Sequence, residues 1–127
     1  MLNVRYGTVL VKGQELSKAN TKIQPAVSFK GTTGKLYTLI LSDPDAPAAD
    51  WLHWLVINND GTTKQELVSY NPPQPPSGTH RYIFTLCEQP GKLQIEPPVE
   101  RGNFDTQKFI SDNRLKVVSK RYFTTSA

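Results

Sequence analysis

Two carboxylates and two imidazoles are the side chains of this sequence best placed to do chemistry. Asp43 and Asp45 fall in Asp43-Pro44-Asp45-Ala46-Pro47, His53 follows within Trp51-Leu52-His53-Trp54, and His80 opens a run with Tyr82 two residues on. These are the chain's only histidines. An imidazole changes charge near neutral pH, so it can donate to an anion, accept a proton or ligate a metal. A carboxylate should repel an anionic ligand. Its useful place is behind the imidazole, where it accepts from one ring nitrogen, fixes the tautomer and leaves the other N–H for a ligand oxygen. A cationic ligand group could instead meet an aspartate directly, and Tyr82 and backbone N–H groups would add donors. Metal chemistry is not expected, because the histidines sit in separate segments without His-x-x-x-His or cysteine spacing. Nor is catalysis: Ser42 and Ser77 lie near these residues without a Gly-x-Ser-x-Gly elbow, and Cys87 reads as a buried structural thiol. No cofactor is implied.

The elements that must hold these groups are strands. Residues 36–41 and 51–57 are short, nearly continuous apolar and aromatic runs, the pattern of strands covered on both faces. Between them Pro44 and Pro47 push Asp43 and Ala46 to extended conformations and keep the loop out of a helix. In the second run, strict alternation places Trp51, His53, Leu55 and Ile57 on one face and Leu52, Trp54 and Val56 on the other. A buried His53 needs a partner, either the Asp43 and Asp45 loop or a backbone carbonyl. Further on, His80, Tyr82, Phe84 and Leu86 share a strand face, which puts a polar pair at the tip of an apolar stripe. Residues 70–78, Tyr-Asn-Pro-Pro-Gln-Pro-Pro-Ser-Gly, run directly into it. They read as a stiff pocket wall rather than a displayed polyproline ligand.

Elsewhere, residues 4–11 suit a first or edge strand and residues 26–29 a short one with Val27 and Phe29 on one side. Asp60-Gly61 marks a tight turn, and residues 93–95 could form a strand stopped by Pro97-Pro98. A short helix over 105–112 has Asp105 or Asn103 as its candidate N-cap. Val117-Val118 and Tyr122-Phe123 suit a last strand. The expectation is one domain over 1–127, mainly β, of two packed antiparallel-rich sheets with one or two short helices.

Composition agrees with this and narrows the partners. The 127 residues hold ten prolines and eight glycines, which implies many turns, and the single cysteine excludes an intrachain disulfide. No apolar run approaches a membrane span and residues 1–13 lack the pattern of a secretory signal, so a soluble cytoplasmic protein is expected. The net charge of +4 comes from residues 101–121, where Arg101, Lys108, Arg114, Lys116, Lys120 and Arg121 outnumber Asp105 and Asp112. Without a nucleic-acid motif or a stacking platform, this stripe reads as a solvated face and nucleic acid is not an expected partner.

Three motifs in order carry a resemblance over most of the chain. Asp43-Pro44-Asp45-Ala46-Pro47 with Trp51-Leu52-His53-Trp54, then Gly78-Thr79-His80-Arg81-Tyr82 with Gln89, then Arg101-Gly102-Asn103-Phe104 resemble the signature segments of the phosphatidylethanolamine-binding protein family. The resemblance implies a β-sandwich whose fold brings Asp43, Asp45, Pro47, Trp51, His53, Pro75, Pro76, His80 and Tyr82 to the rim of a small pocket for phosphate groups. It implies a phosphate-bearing small molecule or phospholipid headgroup as ligand, and control of protein partners such as kinases or proteases. An interaction-only inhibitor with a vestigial pocket is the rival reading. Gln74 stands where the family pattern usually has glycine. The loop between Pro47 and Trp51 is trimmed to Ala48-Ala49-Asp50, and the chain ends without the C-terminal helix that often covers the pocket, which implies a shallower, wider site.

Overall fold

Apolar residues on both faces of the central strands require cover on both sides, and the computed structural model, which describes residues 2–127, supplies it. The elements run β1 (Leu2–Tyr6), β2 (Val9–Leu10), β3 (Ala26–Phe29), β4 (Tyr37–Asp43), β5 (Trp51–Asn59), β6 (Gln65–Val68), β7 (Thr79–Glu88), α1 (Thr106–Asp112) and β8 (Lys116–Ser126). They form a three-stranded sheet, β2-β1-β3, and a five-stranded sheet, β6-β5-β4-β7-β8, with antiparallel pairing throughout both.

One core lies between the sheets. Leu2, Val4 and Tyr6 of β1 meet Leu39, Leu41, Val56, Phe84 and Phe123 of the larger sheet. The second lies on that sheet's other face, where Ile40, Leu52, Leu55, Ile57 and Cys87 meet Phe104, Ile110 and Leu115 from α1 and its flanks. Every residue of β4 is buried, as the continuous apolar run predicts. Asp105 caps α1, its side chain accepting from Lys108 N at 2.9 Å.

Four expectations about elements need correction. The strand over 4–11 is instead a hairpin, β1 and β2, with Gly7 at φ 62 in the two-residue turn between them. β6 was not foreseen; pairing with β5 and a bond from Trp54 Nε1 to Glu66 Oε2 (2.8 Å) hold it. Residues 93–95 are not a strand, because the Leu93 backbone pairs with the Asn58 side chain through both its N–H and its carbonyl (2.9 Å each). Strict alternation in β5 also fails. Leu41 faces Trp54 but Ser42 faces Leu52, so His53 is the extra residue of a β-bulge. Beyond it the parity reverses: Trp54 and Val56 join the inter-sheet core, while Leu55 and Ile57 join the other.

Candidate functional site

The bulge in β5, the end of β4, the start of β7 and the proline-rich segment surround one cavity of about 570 Å³. Its lining includes eight of the nine expected residues: Asp43, Pro47, Trp51, His53, Pro75, Pro76, His80 and Tyr82. Ala46, Ala48, Asn71, Pro72 and Gln74 complete it. Asn71, Pro72, Gln74, Pro75 and Pro76 of the proline-rich segment thus lie along one side of it.

Asp43 ends β4 with only 3% of its surface exposed, and both of its oxygens are engaged. Oδ1 accepts from Asp45 N (2.8 Å), which folds the loop back on itself, and Oδ2 accepts from Nδ1 of His80 (2.7 Å). Asp45 does not line the cavity. Its carboxylate accepts from the Arg81 backbone N and Nε at Oδ2 and from Nη2 at Oδ1, each 2.9 Å, a bidentate fork that clips the loop to β7. Arg81 holds the Asp45 carboxyl down at about 2, against a smaller opposing effect of burial. Nothing local in the sequence revealed this partner, because Arg81 lies on the strand face opposite His80.

His53 takes the backbone alternative. Its Nδ1 donates to the Asn71 carbonyl (2.6 Å), and Asn71 N donates back to the His53 carbonyl (2.8 Å). A carbonyl oxygen can only accept, so Nδ1 carries the proton. Burial pushes His53 below its ordinary 6.5, the nearby Arg101 and His80 adding to that and the Asn71 carbonyl and Asp43 opposing it. Arg101 braces the carbonyls at the bulge, that of His53 in addition to its bond from Asn71 N. Its Nη1 donates to the Leu52 and His53 carbonyls (3.2 Å each) and its Nη2 to the Ser69 carbonyl (2.8 Å), while the guanidinium lies 5.6 Å from the Trp51 ring centroid. The adjoining residues pair with the trimmed loop, Asn103 N with the Ala48 carbonyl and Phe104 N with the Asp50 carbonyl (2.9 Å each). Arg101 and Asn71 are the positioning residues that sequence reasoning left without a role. Their only signals were the Arg101-Gly102-Asn103-Phe104 motif and a polar residue opening the proline run.

Aromatic contacts fix the ring planes: His53 lies 4.7 Å from Trp51 and 5.1 Å edge-on to Tyr82, which stacks on Phe123 at 5.3 Å. Burial first, and then the Asp43 carboxylate, push the Tyr82 phenol up, so it is a protonated donor at neutral pH. The Tyr82 hydroxyl lies within reach of that carboxylate, and among the described residues neither Nε2 has a partner although neither is sealed from solvent. The expectation that an aspartate leaves an N–H for the ligand therefore needs a correction. With both Nδ1 atoms donating inward, each Nε2 is a lone pair in the neutral ring and an N–H only in the imidazolium. The cavity wall carries no lysine, arginine, serine, threonine or cysteine, and no group of three metal-holding side chains exists among the described residues.

The family described as Phosphatidylethanolamine-binding protein matches residues 6–123. The chain is similar to Protein MOTHER of FT and TFL1 homolog 2 of Oryza sativa subsp. japonica, 38% identical over an alignment 104 residues long that covers 72% of this chain and 60% of that protein. It is also similar to CEN-like protein 1 of Nicotiana tabacum, 35% identical over 127 residues, covering 90% of this chain and 73% of that one. The chain thus spans between three fifths and three quarters of the length of these two relatives. Among solved structures, a carboxypeptidase Y inhibitor complexed with its cognate proteinase superimposes with a TM-score of 0.88 at 20% identity, over 99% of this chain and 82% of that one. A phosphatidylethanolamine-binding protein from Plasmodium vivax does so with a TM-score of 0.81 at 20% identity, over 98% and 84%. At such identities these likenesses speak for the fold alone.

Proposed function

The chain belongs to the phosphatidylethanolamine-binding protein family, and from that premise we propose that it is a binding module, not an enzyme, whose cavity takes a small phosphate-bearing anion. The observation that supports this most is the convergence of His53, His80 and the Tyr82 hydroxyl on one cavity walled by prolines and Trp51. Three polar groups on a stiff wall of prolines, alanines and Trp51, with Asp43, Asn71 and Gln74 beside them, suit a compact oxyanion carried on a small organic group. The Asp43–His80 pair is geometrically able to act as a base, but the wall offers it no serine, threonine or cysteine to activate. The second half of the proposal is regulation of a protein partner of the kinase or protease class. The fold is that of a carboxypeptidase Y inhibitor seen with its cognate proteinase, and the curated relatives carry regulator-type names such as Protein TERMINAL FLOWER 1 of Arabidopsis thaliana, 36% identical over 90% of this chain. The rival reading, an inhibitor with a vestigial pocket, draws on the absence of any lysine or arginine from the wall.

An NMR titration with phosphorylethanolamine and O-phosphotyrosine separates the two readings. A single charge-assisted contact contributes about 1.5–3 kcal/mol, so a free headgroup should bind weakly, and millimolar ligand is needed. Shifts confined to Asp43, His53, His80 and Tyr82 that vanish in His80→Ala support the phosphate site. No shift there at millimolar ligand, with a protein partner perturbing the surface instead, supports the rival.

A further inference from the structure

The two imidazoles face the same cavity, yet their surroundings assign them opposite hydrogen-bonding roles. Nδ1 of His80 donates to a carboxylate oxygen, and Nδ1 of His53 to a carbonyl oxygen. A carboxylate compensates an imidazolium and a carbonyl does not. The charged and titratable groups around His80 are Asp43 at the end of β4, Asp45 in the following loop, His53 across the cavity on β5, and Tyr82 on its own strand. Those around His53 are Asp43, His80 and Tyr82, together with Arg101, whose guanidinium is bonded to the His53 carbonyl itself. A carboxylate oxygen thus backs the His80 ring and a carbonyl oxygen backs the His53 ring, beside the Arg101 guanidinium. No lysine or arginine lines the wall to neutralise a dianion. A phosphate dianion entering beside Asp43 would face a net negative site unless protons came with it.

We propose that the pocket selects a singly protonated phosphomonoester, with His80 Nε2–H and the Tyr82 hydroxyl donating to two phosphate oxygens and His53 Nε2 accepting the remaining P–O–H. The inference rests on the reading of the cavity as a phosphate site and names the ligand species for it. A free phosphomonoester loses its second proton near pH 6, so at pH 7.5 it arrives mainly as the dianion. Binding then takes up one proton on phosphate oxygen and a further one at His80 Nε2 wherever that ring was neutral. A phosphodiester carries no P–O–H at any working pH and leaves the His53 lone pair without its donor.

Calorimetric titration of the whole chain with methyl phosphate and with dimethyl phosphate, each in two buffers of different ionisation enthalpy, reads the protons directly. The proposal expects uptake of about one to two protons per methyl phosphate at pH 7.5, and a fall in affinity of about tenfold per pH unit for each proton above that pH. Dimethyl phosphate should bind more weakly and take up about one proton fewer. In ¹⁵N spectra of the complex, His53 Nε2 should stay unprotonated while both nitrogens of His80 carry protons. Methyl phosphate binding with no proton uptake, equal affinity for the diester, or a protonated His53 Nε2 would overturn the proposal and leave the phosphate reading intact. Absence of methyl phosphate binding even at pH 6 would overturn both.

Discussion

A carbonyl holds Nδ1 of His53 and a carboxylate holds Nδ1 of His80, and the difference sets what each residue should do when mutated or titrated. Because burial lowers His53 below its ordinary 6.5, its contribution to stability is fully present above pH 6.5 and is lost as pH falls from there through the lower native value. Urea midpoints measured between pH 7.5 and 5 should therefore drop in the wild type and drop less in His53→Gln. Truncation of Asp43 to alanine leaves the buried His80 Nδ1 without an acceptor and should cost about 1–3 kcal/mol in chemical denaturation. Asp45 behaves differently, since its partner Arg81 is more than half exposed. Asp45→Asn should cost no more than about 1 kcal/mol near neutral pH. That contribution is present above pH 3.8, and the gap between wild type and variant should close as pH falls toward about 2. The sequence made the chemistry-bearing residues legible, but not their pairing. Residue types and strand tips mark Asp43, His53 and His80 as candidates, whereas the choice between aspartate and carbonyl for each ring depends on the bulge and on Asn71, which only the fold brings together.

At the scale of elements, the bulge at His53 matters most. It turns the ring onto the face shared by Tyr82, and Arg101 donates to the Leu52 and His53 carbonyls beside it. Alternation could not reveal it, because β5 is apolar on both faces and a parity change moves one buried residue in place of another. β6 escaped notice for the opposite reason: its Gln65 and Glu66 are exposed, and the strand forms through its ladder with β5 rather than through an apolar face. Removal of the Arg101 fork should loosen the whole wall. Arg101→Ala is expected to lower stability by about 2–3 kcal/mol and to shift the His53 ring resonances, with Arg101→Lys restoring little because an ammonium cannot reach three carbonyls in a fork. A thermal melt together with ring spectra of both variants checks this. If Arg101→Ala melted like the wild type with His53 unmoved, the bulge would be held by something else.

Across the whole molecule, the central sheet is covered on one face by β1 and β3 and on the other by α1 and its flanks, so the site is built at the end of a doubly buried sheet. That arrangement was readable in outline: continuous apolar runs imply cover on both faces, and the many prolines and glycines imply strands joined by turns. Phe84 is fully buried in the inter-sheet core, and Phe84→Ala should cost about 3–5 kcal/mol in urea denaturation. The rigidity of that core keeps the cavity wall in place, and on it rests the central claim that the pocket between the 43–47 loop and the start of β7 receives a phosphate group. A crystal structure of the protein with O-phosphotyrosine tests this claim most directly. The account predicts phosphate density in the cavity with oxygens within about 3 Å of His80 Nε2 and the Tyr82 hydroxyl. A cavity filled only by ordered water in crystals grown at saturating ligand would contradict it.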